Sequence, residues 1–133
     1  MFIDTSAIVA ILTAEPDAAA FLAAIDTDTR RETGAHVRVE ATINLARILG
    51  LPVPVAEELF DNFLATAKIV VLSINDAVAR RAVDAFTRYG KGQGHPAQLN
   101  FGDCLSYALA AHYRAPILFK GQDFSHTDLK AAL

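Results

Sequence analysis

The sequence predicts an α/β fold in which a short, mainly parallel sheet is covered by helices on both faces. Short apolar runs bounded by polar, glycine or proline residues alternate with longer segments of helical periodicity. Continuous apolar strands of this kind are typical of parallel sheets that are buried on both sides. With 133 residues, 53% of them hydrophobic and 20% charged, the chain is long enough to bury a substantial core. We therefore expect a single domain over residues 1–133.

The first half of the chain is predicted to hold two strands and four helices. Asp4, Thr5 and Ser6 follow the first apolar run and belong to the residue types that commonly cap helices. Gly50 is placed to end one helix and Pro54 to begin the next. The predicted elements are a strand at 2–3, helices over 7–12 and 17–25, a weak strand at 31–33, and helices over 37–49 and 54–68.

The second half begins with the clearest predicted strand, the β-branched run 69–72. A helix over 76–89 follows, and the three glycines and one proline of residues 90–96 predict a loop. Asn100 is placed to cap a helix over 102–114, and residues 117–119 predict the last strand. Parallel strands joined in this way are expected to have right-handed crossovers.

Composition disfavours several classes of protein. Cys104 is the only cysteine, which excludes an internal disulfide and fits a reducing cytoplasm. The N-terminus lacks the features of a secretory signal, and the apolar runs are too short to cross a bilayer, so we expect a cytoplasmic protein without membrane contact. The formal net charge is −3, but the 15 acidic residues less the four discussed next leave 11 against 12 basic ones. Charge therefore neither excludes nor favours a nucleic-acid substrate.

Four carboxylates that are far apart in sequence are expected to meet at one edge of the sheet. Asp4 follows the first strand and Asp123 follows the last, at the carboxyl ends where ligands bind in such sheets. Asp103 lies in the first turn of its helix, and Glu40 lies in the third helical segment. Clustered carboxylates repel one another, and a divalent cation relieves that repulsion. Oxygen ligands without cysteine or histidine favour Mg²⁺ or Mn²⁺ over zinc, so metal-dependent chemistry on phosphate is the leading hypothesis.

Each of these acids also has an ordinary structural explanation. Asp4 is placed to cap the first helix, and Asp103 stands three residues after Asn100, the spacing of a capping box. Glu40 lies on a polar stripe typical of a solvated helix face, and Asp123 follows a glycine turn. The hypothesis therefore depends on the set of four and not on any single member.

Competing catalytic motifs are incomplete. The glycine-rich residues 90–94 lack the Gly-Lys-Ser/Thr ending of a phosphate-binding loop, and no strand precedes them. Ser6 has no histidine near it in sequence, Cys104 is flanked by Asp103 and Leu105, and the four histidines lack metal-ligand spacing. Nucleophilic catalysis and a zinc site are therefore disfavoured.

Four motifs carry a resemblance to a known family. They are Phe2-Ile3-Asp4-Thr5-Ser6-Ala7, Arg38-Val39-Glu40, Leu99-Asn100-Phe101-Gly102-Asp103-Cys104, and Leu118-Phe119-Lys120-Gly121-Gln122-Asp123-Phe124. With these motifs in this order, the whole chain resembles a PIN-domain ribonuclease, specifically the VapC type of toxin from bacterial toxin–antitoxin pairs. The resemblance implies a three-layer α/β/α sandwich that forms a homodimer. It also implies inhibition by a cognate antitoxin and contact with operator DNA only through that antitoxin.

The same resemblance assigns roles to individual residues. Ser6 matches the small hydroxyl beside the acidic residues, where it steadies a carboxylate or a bound water, and Asn100 is expected to support the site similarly. The implied reaction is hydrolysis of RNA by a water that one or two Mg²⁺ ions activate, leaving a 5′-phosphate and a 3′-hydroxyl. The metal-binding acids of the family match Asp4, Glu40, Asp103 and, as the most variable member, Asp123.

Basic and apolar surfaces suggest partners. The helix over 55–67 has an apolar face that core packing largely explains, and its excess is a candidate seat for an antitoxin helix or a second copy of the chain. Candidates for gripping RNA, each with ordinary surface charge as the alternative, are Arg38, Lys91, His95 and Lys120.

Two alternatives to the toxin hypothesis stay open. One is a PIN-fold nuclease of RNA processing, and the other is a non-catalytic PIN-fold protein that acts through partner binding. The intact set of carboxylates favours catalysis, because an inactive site has no reason to keep four mutually repelling groups.

Overall fold

The computed structural model describes residues 1–133 and contains four strands and six helices. The strands form one parallel sheet in the order β3-β2-β1-β4, and helices lie between successive strands in the chain. This architecture confirms the predicted α/β/α sandwich. The elements are β1 (Phe2–Ile3), α1 (Thr5–Leu12), α2 (Ala18–Asp26), β2 (Glu32–Gly34), α3 (Ala35–Leu49), α4 (Val53–Ala67), β3 (Val70–Leu72), α5 (Asp76–Tyr89), α6 (Phe101–His112) and β4 (Ile117–Leu118).

The register of the two inner strands determines where the acidic residues meet. Phe2 of β1 pairs with Glu32 of β2 on one side and with Ile117 of β4 on the other. The backbone N–H of Asp4 donates to the carbonyl of Leu118 at 2.9 Å, which continues this pairing one residue past β1. Because β1 and β4 are parallel neighbours, the residues that follow them lie at the same edge of the sheet.

The least apolar strand occupies an interior position in the sheet. β2 was a weak prediction, yet it lies between β1 and β3. Its Thr33 is fully buried and donates its hydroxyl hydrogen to the carbonyl of Ile3 at 2.7 Å, so burial leaves no unpaired hydroxyl. β3, the clearest strand in sequence, is an edge strand in which Val70 stays 60% exposed.

The helices begin and end within two residues of their predicted bounds. Asp4 is the N-cap of α1 and Asn75 that of α5, and each accepts a backbone N–H through its side chain. Gly50 ends α3 in the left-handed conformation at φ 64°, which a residue without Cβ adopts at low cost. Residues 90–96 form the predicted loop, closed by a backbone bond from Lys91 to the carbonyl of Leu99 at 2.9 Å.

One hydrophobic core of 31 buried residues fills the space between sheet and helices. The apolar face predicted on α4 belongs mainly to this core, since Phe60 and Leu64 are buried, while Val53 and Val55 near the start of the helix are exposed. Exposed apolar side chains are also found on α3, where Val39 and Ile43 are 57% and 56% exposed, and on α5, where Val83 is 69% exposed. No single helix is long and apolar enough to cross a bilayer, and α3 with α4 meets the length and composition criteria only as a pair bent by 118°.

Candidate active site

Asp4 lies at the centre of the candidate site, directly after β1, and is only 6% exposed. Its Oδ2 accepts the hydroxyl of Ser6 at 2.6 Å and the backbone N–H of the same residue at 3.1 Å. Its Oδ1 accepts the hydroxyl of Ser106, on α6, at 2.7 Å. Asp4 therefore caps α1 and also carries hydrogen bonds from another element, so the capping explanation covers only part of its contacts.

Glu40 projects from the second turn of α3 against the start of α6. Its Oε1 accepts the hydroxyl of Thr5 at 2.8 Å. Its carboxyl group occupies the space that a Cβ on Gly102 would need, with Cδ at 2.8 Å from that position. Burial raises the pKa of Glu40, the Thr5 bond opposes this effect, and the charge of Asp4 adds to it. The solvated-face explanation is therefore wrong for this residue, which is half-buried beside another acid.

Asp103 forms both bonds of a capping box with Asn100 at the N-terminus of α6. The backbone N–H of Asp103 donates to Oδ1 of Asn100 at 2.8 Å, and the N–H of Asn100 donates to Oδ2 of Asp103 at 3.0 Å. Burial nevertheless raises the pKa of Asp103 to about 7, and the charges of Asp123, Asp4 and Glu40 contribute to the increase. Asp103 is thus at once a capping residue and a member of the acidic cluster.

Asp123 lies on the exposed segment after β4, two residues beyond Gly121, whose φ is 100°. Burial against its neighbours raises the pKa of Asp123, and the charge of Asp4 contributes. The four predicted acids are therefore brought within electrostatic range of one another at the carboxyl edge of β1 and β4.

The donor chemistry of the cluster fits a hard divalent cation. All four side chains offer carboxylate oxygens, and three of them have raised pKa values, the condition that a bound cation relieves. As the side chains stand, no three His, Cys, Asp or Glu residues are arranged to hold a metal ion. Closing a ligand shell therefore requires rotation of at least one carboxylate. Two carboxylate oxygens are available to become ligands because they accept no hydrogen bond. They are Oδ1 of Asp103 and Oε2 of Glu40.

Three contributors to the site were missed in the sequence. Thr5 stands in the first motif but was considered only as a capping type, whereas its hydroxyl holds Glu40. Ser106 donates to Asp4, and Nε2 of His36 lies 2.8 Å from the Ser106 oxygen. A signal for Ser106 was present, since it is the one serine in a largely apolar helical stretch, one turn after Asp103. No signal in the sequence pointed to a contact between His36 and Ser106, because only the fold brings His36 to α6.

Comparison with known proteins identifies the family. The sequence profile of the PIN domain matches residues 1–130. The chain belongs to the PIN-domain family. Ribonuclease VapC28 of Mycobacterium tuberculosis is 44% identical over 133 residues, covering all of this chain and 98% of the relative. Ribonuclease VapC30 of the same species is 42% identical over 129 residues, covering 97% of this chain and 95% of the relative. The predicted resemblance to VapC ribonucleases is therefore confirmed.

Solved structures agree on the fold. The crystal structure of M. tuberculosis VapC20, a sarcin–ricin loop cleaving toxin, superposes with a TM-score of 0.75 at 21% identity, covering 96% of this chain and 95% of that one. A toxin–antitoxin complex from Klebsiella pneumoniae matches with a TM-score of 0.68 at 16% identity, covering 96% and 92%. These likenesses confirm the PIN architecture.

The four basic residues predicted to contact RNA differ in the ion pairs and hydrogen bonds that their side chains form in this PIN domain. The guanidinium of Arg38 pairs with Asp61 at 2.8 Å, and the ammonium of Lys120 pairs with Glu15 and, at 3.2 Å, with Asp17. Both cations must exchange these partners before they contact a phosphate.

The other two candidates lie in the glycine loop. His95 accepts the backbone N–H of Ala97 on Nδ1 at 3.1 Å, and its ring packs edge-on against Tyr89. Lys91 is exposed and forms no ion pair, and its backbone bond to Leu99 holds it beside the start of α6. Of the four candidates, Lys91 therefore has the fewest side-chain contacts.

A cavity of about 580 Å³ in this PIN domain lies between α5 and α6 and is almost entirely apolar. It contains none of the four acids, although Phe101 and Cys104 in its lining flank Asp103 in sequence. The chemistry is accordingly located by the carboxylates and not by the cavity.

Proposed function

We propose that this protein is a divalent-cation-dependent endoribonuclease that acts as the toxin of a toxin–antitoxin pair. The observation that carries the proposal is the meeting of four carboxylates at one sheet edge, three of them with raised pKa. Similarity over the full chain to VapC ribonucleases supports RNA as the substrate. A non-catalytic role is disfavoured, because keeping this cluster lowers stability without serving a binding partner.

In this proposal Asp4, Glu40, Asp103 and Asp123 hold Mg²⁺ or Mn²⁺, within one nuclease domain over residues 1–133. When bound, such a cation polarises the scissile phosphate and lowers the pKa of a coordinated water. Ser6 keeps Asp4 in place through two hydrogen bonds, and Thr5 does the same for Glu40. Asp103, whose pKa is raised to about 7, gives up its proton to become a ligand.

Carboxylates repel the RNA backbone unless cations offset their charge. Lys91, exposed at the start of the loop beside α6, is proposed to contact a phosphate near the cleavage point. Water attack in line with the leaving oxygen leaves a 5′-phosphate and a 3′-hydroxyl. No histidine is required as a general base.

The proposed partners follow from the same family. We propose a cognate antitoxin that inhibits the enzyme, a homodimeric toxin, contact with operator DNA only through the antitoxin, and action on cytoplasmic RNA. Support for the antitoxin comes from the fold shared with a toxin–antitoxin complex. Co-expression with the product of an adjacent small gene, followed by light scattering of the purified complex, tests the partner and the stoichiometry.

Cleavage of a structured RNA with Mg²⁺ tests the activity. Asp4→Asn keeps side-chain volume and a good N-cap but removes a charge, and it should lower the cleavage rate by at least about 100-fold, the upper range seen when groups that support metal ligands are lost. Asp84→Asn, which removes an exposed acid on α5 paired with Arg88, is the matched control and should cleave at the wild-type rate.

The chemistry of the product ends decides the mechanism. Fragments with 5′-phosphate and 3′-hydroxyl ends are expected. A 2′,3′-cyclic phosphate would contradict hydrolysis by water, and full activity of Asp4→Asn at matched metal concentration would refute the assignment of the carboxylates.

A further inference from the structure

Asp4 is held by two serine hydroxyls, one on each carboxylate oxygen. The Ser6 hydroxyl donates to Oδ2 at 2.6 Å and accepts the backbone N–H of Lys120 at 3.0 Å. The Ser106 hydroxyl donates to Oδ1 at 2.7 Å, and its oxygen lies 2.8 Å from Nε2 of His36. Each serine is thus the middle member of a relay that begins at a nitrogen and ends at Asp4. The first relay joins Ser6, close to Asp4 in sequence, to Lys120 after β4, and the second joins α3 to α6.

The second relay determines which nitrogen of His36 carries the hydrogen. A serine hydroxyl has one hydrogen, and a carboxylate oxygen only accepts. Because Ser106 gives its hydrogen to Asp4, its oxygen accepts from His36, so Nε2 is the donor. Burial lowers the pKa of His36 to about 4, which keeps the ring neutral near pH 7. Nδ1 is then unprotonated, and it is buried without a hydrogen-bond partner.

Packing alone does not account for these two residues. Ser106 is fully buried in the middle of α6, where serine ordinarily bonds the carbonyl four residues earlier or faces solvent. The ring of His36 stacks on Phe2 at 6.5 Å and fills the space over Gly34, where a Cβ would lie 2.5 Å from its Cε1. A buried nitrogen without a partner is unfavourable, so an apolar side chain would satisfy this packing better than His36.

We propose that Ser106 and His36 are positioning residues that orient the Asp4 carboxylate for cation binding. The inference rests on the proposed function in assigning Asp4 to the cation. Three of the four lone-pair positions of Asp4 are taken, two on Oδ2 by Ser6 and one on Oδ1 by Ser106. The remaining position is on Oδ1, and the Ser106 bond sets its direction. His36 acts through Ser106, because its N–H fixes which way the serine hydrogen points.

Mn²⁺ binding and histidine NMR test the relay without requiring catalysis. In the wild type with chelator at pH 7, long-range ¹H–¹⁵N spectra should show a neutral His36 with its hydrogen on Nε2. In Ser106→Ala, the His36 ring should no longer favour this tautomer. Ser106→Ala and His36→Leu should each raise the Kd for Mn²⁺ about tenfold, and lower kcat for RNA similarly with KM unchanged. His36→Gln, whose amide N–H substitutes for Nε2–H, should stay within about threefold of wild type.

Two control variants separate positioning from general loss of buried polar groups. Thr42→Val removes a buried hydroxyl that has no partner, and His112→Leu removes the other histidine whose Nδ1 is buried and unpaired. Both should keep the wild-type Kd for Mn²⁺. Thermal melts show which variants fold, and if Ser106→Ala does not, the contrast between His36→Leu and His36→Gln carries the same decision.

Two results would overturn the relay: wild-type Mn²⁺ affinity in both Ser106→Ala and His36→Leu, or a wild-type His36 with its hydrogen on Nδ1. The proposed function fails separately. A protein that shows the expected Mn²⁺ and NMR differences but cleaves no RNA supports the relay and refutes the nuclease. RNA cleavage by the wild type, together with either of the two results above, refutes the relay and supports the nuclease.

Discussion

Gly102→Ala is expected to damage the site without damaging the fold. A Cβ at this position would lie 2.8 Å from Cδ of Glu40 and closer still to Oε2, whereas ordinary contacts begin at 3.4 Å. The Glu40 carboxylate must therefore move by roughly 1 Å and strain its bond to Thr5. Misplacement of a reacting group on this scale costs about 100-fold in rate.

The fold should tolerate the same change. Gly102 lies in the first turn of α6 without a positive φ, and alanine is favoured over glycine in helices by up to about 1 kcal/mol. The atoms that must yield belong to the end of a flexible side chain, so the melting temperature should stay unchanged or rise slightly. Loss of activity with retained stability is the signature of a displaced carboxylate.

A double-mutant cycle assigns the effect to Glu40. Gly102→Ala should weaken Mn²⁺ binding and lower kcat/KM for RNA about 100-fold in the wild-type background. In a Glu40→Ala background the carboxylate is absent, so adding Gly102→Ala should leave Mn²⁺ affinity as it is. Undiminished cleavage by the single variant, or an equal loss of Mn²⁺ affinity in both backgrounds, would refute this account of the Glu40 position.

Three further outcomes are expected. The pKa of Asp103 rises from 3.8 in the unfolded chain to about 7 in the fold, so the folded state binds the extra proton and loses stability as pH rises from about 4 to 7. After allowance for solvent screening of this partly exposed group, Asp103→Asn in chelator at pH 8 should be about 2 kcal/mol more stable than wild type by urea unfolding. Asp76→Asn, a first-turn acid on α5 paired only with Arg80, should show no such gain, and a less stable Asp103→Asn would assign that residue to capping alone. Lys91→Ala should weaken RNA binding and reduce the slope of log Kd against log salt concentration by about one unit. Lys130→Ala is the control, because this lysine lies beside the start of β4, where its backbone carbonyl accepts from Ile117. Equal salt slopes for the two variants would exclude Lys91 from the RNA interface. Chelator should abolish cleavage and Mg²⁺ or Mn²⁺ restore it, whereas restoration by zinc alone would contradict an all-oxygen site.

Local patterns predicted most of the fold. Helices with strong periodicity and defined caps, such as α5 with Asn75 and α3 with Gly50, lie within two residues of their predicted bounds. Three of the four strands, β1, β3 and β4, lie on the apolar runs, but those runs did not predict the order of the strands in the sheet. β2, with Thr33 at its centre, is an interior strand because its neighbours satisfy its hydroxyl and backbone, a condition that its own composition does not reveal.

The sequence by itself determined which elements form and which four acids are candidates, because helix periodicity, caps and the edge position after a parallel strand are local properties. Only the tertiary structure decided how those acids interact. The pKa of Asp103 near 7 depends on burial and on charges from three other segments, and the place of Glu40 depends on the missing Cβ of Gly102. The bond from Ser106 to Asp4, between residues 102 positions apart, likewise arises only when α6 packs beside β1. Such contacts join distant parts of the chain, so no local pattern encodes them.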